Sequence, residues 1–300
     1  MSVTRPGILL VGAGSFGLQH LMEWSRLAGE GAARIVGVVV NSEQTRGAVR
    51  ARYDLPVYLR LDEALIHKAD AVDIVTPSET HAALVRQCIG LAHVLVEKPL
   101  AMNPSEAAEL RHLARETGRV LMVGHVFRFH PVVLELKRMV ASSVERPRGI
   151  EGVMINPGEP DANGKDPNLE FLHLFDMVDF LFDVEPDMHV GRSRGTVNHV
   201  SVRYPGPMNV NLRMGWSGER KIRALKLLYS DREVTANLID NMIIVAGRDN
   251  QMSKRFFPAE PQALREELRA FIAAIEGRST AHPDAAVGER LVRIAVAARP

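Results

Sequence analysis

The chain has 300 residues, of which 46% are hydrophobic and 24% charged, a balance that is typical of globular proteins. Its 37 basic and 36 acidic side chains leave a net charge of +1, which argues against a nucleic-acid-binding protein, because such proteins usually carry a clear basic excess. The single cysteine, Cys88, excludes an intrachain disulfide and favours a cytoplasmic protein, and no signal peptide or membrane-length apolar run is expected.

Short apolar runs alternate with longer amphipathic stretches over the first 124 residues. Strands are predicted at residues 8–11, 35–40, 72–76, 94–96 and 120–123, and helices at 16–28, 44–53, 79–89 and 104–117. Continuous runs rich in Val and Ile are typical of parallel strands that are buried on both faces. Alternation with helices predicts a doubly wound α/β sheet, a dinucleotide-binding Rossmann domain over residues 1–124.

The pattern changes after residue 125. Helices are predicted at 131–141 and 171–182, on either side of a loop dense in turn formers at 156–168. Strand-like runs then follow with little helix between them, at residues 196–204, 208–216, 221–229, 233–238 and 242–245. Two helices, at 261–276 and 284–298, end the chain. Residues 125–300 are therefore predicted to form a substrate-binding and oligomerisation α+β domain with a mostly antiparallel open sheet.

The first functional signature is the run Gly-Ala-Gly-Ser-Phe-Gly at residues 12–17, between the first strand and the first helix. Gly12 permits the tight turn, Gly14 lets a pyrophosphate approach the backbone, and Gly17 lets helix and strand pack closely. Ser15 and Phe16 lie at the helix N-terminus, whose free N–H groups can bind the phosphates. This pattern predicts a dinucleotide site.

The end of the second strand bears on the choice between NAD and NADP. NAD-binding proteins usually have an acidic residue there, which binds the ribose 2′-hydroxyl. Here the residues are Asn41 and Ser42, with Arg46 in the following helix. Asn and Ser can hydrogen-bond a 2′-phosphate and Arg46 can pair with it, so the sequence favours NADP. The alternative is that these residues simply cap the helix.

Several motifs together resemble the Gfo/Idh/MocA family of sugar and inositol oxidoreductases, over nearly the whole chain. They are GxGxxGxxH at residues 12–20, TPxxxH at 76–81, EKP at 97–99, GHxxRFxP at 124–131, and the start of a C-terminal helix at 261–268. Within the family, residues 124–131 and 221–223 are most similar to the UDP-N-acetylglucosamine 3-dehydrogenase branch. The resemblance implies that Thr76, Pro77, His81 and Glu97 contribute to the cofactor site, together with Lys98.

Lys98 is the main catalytic candidate. It follows an apolar run, and the carboxyl end of a parallel strand is where doubly wound sheets bind their ligands. A lysine that is desolvated near other cations has a lowered pKa, which suits proton transfer. The resemblance implies that Lys98 lies beside the reacting carbon of the substrate and that Glu97 and Pro99 fix its loop. The alternative is a surface lysine after a strand.

His173 and Asp176 match the last two positions of the family's DxxxHxxD pattern, but Leu169 stands where the leading aspartate is expected. If this stretch is helical, Glu170 lies three residues before His173 on the same face and could orient it, as could Asp176. The alternative is a solvated polar stripe opposite an apolar helix face. A histidine and an aspartate at this spacing can bind a metal, but no third ligand is evident, so no metal is expected.

His125 and Arg128 lie at the crossing between the domains, where a sugar hydroxyl or phosphate could be held. Substrate contacts are expected at these two residues and at Lys98, His173 and Asp176. The predicted function is NAD(P)-dependent hydride transfer to or from a ring carbon of a sugar, amino sugar or nucleotide sugar, with Lys98 and His173 handling the hydroxyl proton. Two alternatives stay open: a reductase of a cyclic imine or polyol, and a cofactor-binding sensor or scaffold.

The open face of the predicted antiparallel sheet must be covered by another surface, so a homodimer or homotetramer is expected. Neither nucleic acid nor a membrane is expected as a partner.

Overall fold

A computed structural model of the chain describes residues 5–160, 166–204, 208–249, 251–258 and 262–300. The chain forms two compact units. The first comprises the residues up to His125 together with Leu264–Val292, and the second comprises Val126–Ala263 together with Arg293–Pro300. The first unit's boundary at His125 lies one residue from the predicted boundary at residue 124. The segment Leu264–Val292, however, belongs to the first unit, whereas the sequence placed all of 125–300 in one domain.

The first unit contains a parallel sheet of six strands in the order β3-β2-β1-β4-β5-β6. The elements are β1 (Gly7–Val11), α1 (Ser15–Gly29), β2 (Arg34–Val39), α2 (Glu43–Arg50), β3 (Val57–Tyr58), α3 (Glu63–Ile66), β4 (Ala71–Ile74), α4 (His81–Cys88), β5 (His93–Glu97), α5 (Pro104–Thr117) and β6 (Leu121–Gly124). The order reverses between β1 and β4, where doubly wound sheets bind ligands at the carboxyl ends of their strands. The predicted Rossmann fold is confirmed, with β3 and α3 as short additions.

Local sequence explains where these elements begin and end. β1 is buried along its whole length, as its apolar run predicted. The side chain of Asn103 accepts the N–H of Glu106 at 2.9 Å and caps α5, in which Pro104 takes the first position. Gly118, with φ of 63°, ends the same helix in the left-handed conformation that glycine adopts readily.

The second unit contains a sheet of eight strands in the order β14-β13-β12-β11-β7-β10-β9-β8. Its elements are α6 (Pro131–Ser142), β7 (Gly149–Asn156), α7 (Pro167–Glu170), α8 (His173–Phe182), β8 (Met188–Arg194), β9 (Val197–Arg203), β10 (Asn209–Trp216), β11 (Ile222–Leu228), β12 (Arg232–Asn237), β13 (Met242–Gly247) and β14 (Met252–Phe256). The two C-terminal helices, α9 (Gln262–Ile275) and α10 (Ala285–Ala297), lie mostly in the segment that belongs to the first unit. Among the described strands of this eight-stranded sheet, only β7 and β10 pair in parallel, so the mostly antiparallel sheet is confirmed. Residues 161–165 of the predicted loop, and Pro261, lie outside the described residues.

The sheet of the second unit has one buried and one exposed face. In β9 and β10 the apolar residues point inward and alternate with exposed polar residues such as His199 and Arg213. Gly152 in β7 lets α8 approach closely, because a Cβ there would lie 2.9 Å from a methyl carbon of Leu174. None of the helices in the described parts of the chain combines the length and apolar character that crossing a bilayer requires.

Candidate functional site

The turn between β1 and α1 is shaped by glycines that serve different purposes. Gly12 has a φ of 103°, and a Cβ there would lie 2.2 Å from the Val75 carbonyl oxygen. A Cβ on Gly17 would lie 2.3 Å from the carbonyl oxygen of Gly12. A Cβ on Gly14, in contrast, would meet no protein atom within 4 Å. Gly12 and Gly17 are therefore required by the turn itself, while Gly14 leaves open space in front of the α1 N-terminus at Ser15 and Phe16. The predicted pyrophosphate fits this arrangement.

Not all of the residues at the end of β2 support binding of a ribose 2′-phosphate. Asn41 is exposed. The hydroxyl of Ser42 accepts the N–H of Thr45 at 3.2 Å and caps α2, as the capping alternative anticipated. The Arg46 guanidinium lies 2.6 Å from the Glu43 carboxylate. A 2′-phosphate contact with Ser42 or Arg46 would therefore compete with bonds that these side chains already make.

His81 joins the loops that follow β4 and β5. Its Nδ1 lies 2.7 Å from the Pro99 carbonyl oxygen, and its Nε2 lies 3.0 Å from the carbonyl oxygen of Thr76. The ring is 1% exposed, and burial lowers its pKa. This geometry favours a structural clamp, which fixes the turn at Thr76 and Pro77 against the Lys98 loop, over the predicted cofactor contact.

Lys98 directly follows β5 and is half-buried, and its peptide bond to Pro99 is cis. The preceding Glu97 is 7% exposed, and one of its carboxylate oxygens accepts the Lys98 N–H at 3.3 Å. The other oxygen lies 3.5 Å from Nε2 of His20. The Glu97 carboxylate is thus directed at the protein, so its part in the site is to shape the Lys98 loop.

Two buried residues complete this region: His20, the histidine of the GxGxxGxxH motif, and Asp73, which sequence reasoning passed over. Asp73 in β4 is fully buried, and its Oδ2 lies 2.8 Å from Nδ1 of His20 and accepts the indole N–H of Trp24 at 2.7 Å. Burial lowers the pKa of His20, but the charges and hydrogen bonding of Asp73 and Glu97 together outweigh that effect, and the pKa rises to about 10. The sequence feature that could have identified Asp73 is a lone acidic residue inside an apolar strand.

In the second unit, Arg128 lies at the centre of a buried ionic cluster. Its Nε donates to Asp176 at 2.6 Å, and a terminal nitrogen donates to Asp179 at 2.7 Å. All three side chains are at most 4% exposed. The solvated stripe weighed as an alternative is therefore wrong, and the geometry favours a structural role for Arg128 and Asp176 over the predicted substrate contacts. His125, in the first unit, is fully buried, which likewise favours packing.

His173 is the first residue of α8, where it is half-buried and its ring packs edge-on against Phe127 with centroids 4.8 Å apart. Glu170 is the last residue of the separate helix α7. The chain leaves helical geometry at Phe171, with φ of −101° and ψ of 31°. The assumption of one continuous helix through Glu170 and His173 was wrong, so the shared-face argument for Glu170 no longer applies. Leu169, in the place of the usual aspartate, is buried.

A cationic cluster beside Glu170 was not foreseen as a site. The guanidinium of Arg223 donates to the Ile155 carbonyl oxygen at 2.9 Å and to the Asn156 side chain at 2.6 Å, and it lies over the Phe171 ring. Burial lowers the pKa of Arg223, although Glu170 opposes the shift. Burial and Arg223 lower the pKa of the nearby Lys221. The described residues contain no group of three or more His, Cys, Asp or Glu side chains that could hold a metal ion.

Residues 7–125 match the Gfo/Idh/MocA family model, which is described as an oxidoreductase family with an NAD-binding Rossmann fold. UDP-N-acetylglucosamine 3-dehydrogenase from Acidithiobacillus ferrooxidans is 24% identical over 98% of this chain and 96% of that protein. Inositol 2-dehydrogenase 1 from Saccharopolyspora erythraea is 32% identical over 59% of this chain and 54% of that protein.

Solved structures with the same fold include two sugar or polyol dehydrogenases. The A. ferrooxidans enzyme has a TM-score of 0.87 at 23% identity, covering 99% of this chain and 97% of that one. Scyllo-inositol dehydrogenase from Lactobacillus casei, solved with bound NAD(H) and scyllo-inositol, has a TM-score of 0.82 at 16% identity, covering 99% of this chain and 97% of that one. At these identities the structural similarity concerns the fold.

Proposed function

Because this chain belongs, through residues 7–125, to the Gfo/Idh/MocA family of NAD(P)-dependent oxidoreductases, we propose that it oxidises a ring hydroxyl of a nucleotide sugar. The observation that carries this substrate class is the similarity to a UDP-N-acetylglucosamine 3-dehydrogenase over 98% of the chain. A diphosphate also needs cationic partners, and Lys221 and Arg223 supply two of them. Relatives named as inositol dehydrogenases make an unphosphorylated polyol the competing substrate.

Lys98 is the proposed acid/base of the reaction. The dinucleotide, when bound, accepts or donates the hydride. During oxidation the hydroxyl proton of the substrate passes to Nζ of Lys98, and it returns from there during reduction. Glu97 and His81 hold the loop that carries Lys98, the first through the Lys98 N–H and the second through the Pro99 carbonyl oxygen. His173 is proposed as the second group that takes part in this proton transfer.

The chain is a dinucleotide-binding protein, and NADP remains the proposed form of the cofactor. The support is that Asn41 is exposed and neutral at the end of β2, where NAD-binding proteins usually have an acid. The Arg46–Glu43 pair and the capping role of Ser42 weigh against it. Titrating the protein with NADPH and NADH, followed by nicotinamide fluorescence, decides between the two. Tighter binding of NADH would reject NADP.

Pairing of the open sheet face with a second copy of the chain is the proposed basis of a homodimer or homotetramer. Its support is apolar exposure, since Ile222 is 38% exposed and Val190 is 45% exposed, both on strands of the eight-stranded sheet. Sedimentation at micromolar concentration tests the proposal, and a monomer would contradict it.

The decisive experiment measures reduced nicotinamide formation with UDP-N-acetylglucosamine, and separately with myo-inositol, in the presence of NAD⁺ or NADP⁺. We expect turnover with the nucleotide sugar and a loss of at least about 100-fold in Lys98→Met. Lys68→Met is the matched control, because Lys68 is an exposed lysine of the same unit. Full activity of Lys98→Met would reject Lys98 as the acid/base, and turnover of inositol alone would reassign the substrate. Tight cofactor binding with no turnover of either substrate would favour a sensor.

A further inference from the structure

Three ionisable side chains meet in the interior of the first unit, on three different elements. His20 comes from α1, Asp73 from β4 and Glu97 from β5, and their exposed fractions are 0%, 0% and 7%. The Asp73 carboxylate faces Nδ1 of the imidazole at 2.8 Å, and the Glu97 carboxylate faces Nε2 at 3.5 Å. One imidazole therefore lies between two acids.

The hydrogen bonds of Asp73 favour its ionised form. A single oxygen, Oδ2, faces both the His20 ring and the indole N–H of Trp24, at 2.8 and 2.7 Å. An ionised carboxylate accepts two such bonds and donates none. An ionised carboxylate in the interior needs a positive partner, because an isolated buried charge is strongly unfavourable. The only cationic group that faces this oxygen among the described residues is His20.

The second ring nitrogen leads to the same conclusion. A neutral imidazole that donates from Nδ1 to Asp73 has only a lone pair at Nε2. That lone pair would face the Glu97 oxygen, which is also an acceptor when ionised, at 3.5 Å. An imidazolium removes this conflict, because both of its ring nitrogens carry a proton. Nδ1 then faces Asp73 at hydrogen-bond distance, and the positively charged ring faces the Glu97 carboxylate as an ion pair at 3.5 Å, without a hydrogen bond from Nε2. Phe16 covers the ring edge-on, with centroids 4.8 Å apart, and adds no competing charge.

The Glu97 carboxylate connects this histidine to the Lys98 loop. Its Oε2 accepts the Lys98 N–H at 3.3 Å, and its Oε1, the atom nearest His20, lies against the backbone of Gly124. A Cβ on Gly124 would be 2.3 Å from Oε1, so the carboxylate fills the space that this glycine leaves. The carboxylate thus lies at ion-pair distance from His20 on one side and against β6 on another.

We propose that His20 is a positioning residue for Lys98: as an imidazolium between two carboxylates, it fixes the Glu97 carboxylate that anchors the Lys98 backbone. The charged groups that face it are Asp73 from β4 and Glu97 from β5, and both stabilise its positive form. The effect on turnover rests on the proposed function of Lys98, whereas the charge of His20 does not.

The charge is tested directly by ¹⁵N NMR of the full-length protein labelled at histidine, with the His20 signals assigned by their loss in His20→Gln. We expect both ring nitrogens to show the imidazolium signature and to remain unchanged across the range around pH 6.5 in which a free histidine titrates. His112, whose side chain is 66% exposed, serves as the internal reference. A neutral His20 tautomer would overturn the proposal whether or not any substrate is turned over.

The positioning role is tested by kinetics with UDP-N-acetylglucosamine, comparing His20→Gln, Glu97→Gln and the double variant. We expect kcat to fall about tenfold or more in His20→Gln, because small displacements of a reacting group are costly, while the Kd for the reduced cofactor stays unchanged. The double variant should lose no more than the worse single variant, since both changes break one chain of contacts. His112→Gln is the matched control and should retain full activity.

Additive losses in kcat would overturn the positioning role, as would a loss confined to cofactor affinity. If His20→Gln does not fold, Gly124→Ala provides a second approach, because it displaces the Glu97 carboxylate while His20 remains. It should reduce kcat without changing the Kd for the cofactor, and an unchanged kcat would count against the proposal. An inactive wild-type protein with an imidazolium at His20 would reject the proposed substrate and leave the charge assignment standing.

Discussion

Replacing Gly14 by Ala is expected to weaken dinucleotide binding while leaving the fold intact. Gly14 has φ of −69° and ψ of −171°, an extended conformation that alanine also adopts. A Cβ there would meet no protein atom within 4 Å. The substitution therefore neither strains the backbone nor collides with the protein, and we expect the free energy of unfolding to change by less than about 0.5 kcal/mol.

The Gly14→Ala substitution should weaken the binding of the cofactor without affecting the stability of the free protein. The added methyl group occupies the space through which a pyrophosphate reaches the free N–H groups at the start of α1. Losing one hydrogen bond to a charged group costs about 1.5–3 kcal/mol, which corresponds to a rise in Kd of about 10- to 100-fold. The variant should thus bind NADH or NADPH much more weakly at an unchanged Tm.

Fluorescence titration with reduced nicotinamide and thermal unfolding of the same samples provide the two measurements. Gly47→Ala is the matched control, because a Cβ at this glycine within α2 also meets no atom within 4 Å. It should leave the Kd unchanged and stabilise the helix by about 0.5–1 kcal/mol. An unchanged Kd in Gly14→Ala would refute the placement of the pyrophosphate, and a fall in its Tm would refute the claim that the space is empty of protein.

Arg128→Met should lower the free energy of unfolding by about 3–5 kcal/mol in denaturant titrations, because two buried carboxylates lose their cation. Arg138→Met, which removes an exposed guanidinium, should change it little, and equal effects would contradict the buried cluster. Burial raises the pKa of Cys88 to about 12, so iodoacetamide should label the native thiol slowly at neutral pH and rapidly only after unfolding; rapid native labelling would count against it. Folding raises the pKa of His20 from about 6.5 to about 10, so its stabilising effect is complete below the lower value and disappears as pH rises to the upper one. The stability difference between wild type and His20→Gln should therefore shrink over that window, and a constant difference would contradict a charged His20.

Periodicity and turn chemistry were sufficient to predict the first unit. The runs at β1 and β4 are apolar enough to be recognised as buried parallel strands, and the glycine turn fixes where α1 begins. In the second unit, the interior strand β7 was missed, as were the edge strands β8 and β14. Their sequences, MHVGRSR and MSKRF, lack an apolar alternation, and all five residues of β14 are exposed. Such edge strands are held by pairing with a neighbour, which a local pattern does not reveal.

The residues of the candidate site likewise fall into two groups, those that local sequence predicts and those that it does not. Lys98 and the glycines follow from local sequence, because each depends on the strand immediately before it. The partners of Arg128 and His20 do not, because they lie 48 and 53 residues away in Asp176 and Asp73. The break at Phe171 was also hidden, since the apolar spacing on both sides of it is compatible with one helix.

The return of Leu264–Val292 to the first unit makes that unit discontinuous in sequence. The Val123 N–H in β6 donates to the Pro283 carbonyl oxygen at 3.0 Å, and Arg265 pairs with the buried Glu23 of α1 at 2.8 Å. During synthesis, the ribosome needs about 10 to 30 seconds to add the residues between His125 and Val292. The nascent nucleotide-binding sheet therefore waits that long, with this surface uncovered, for the last part of its own domain. A gene fragment that ends at His125 would encode a permanently incomplete version of this unit.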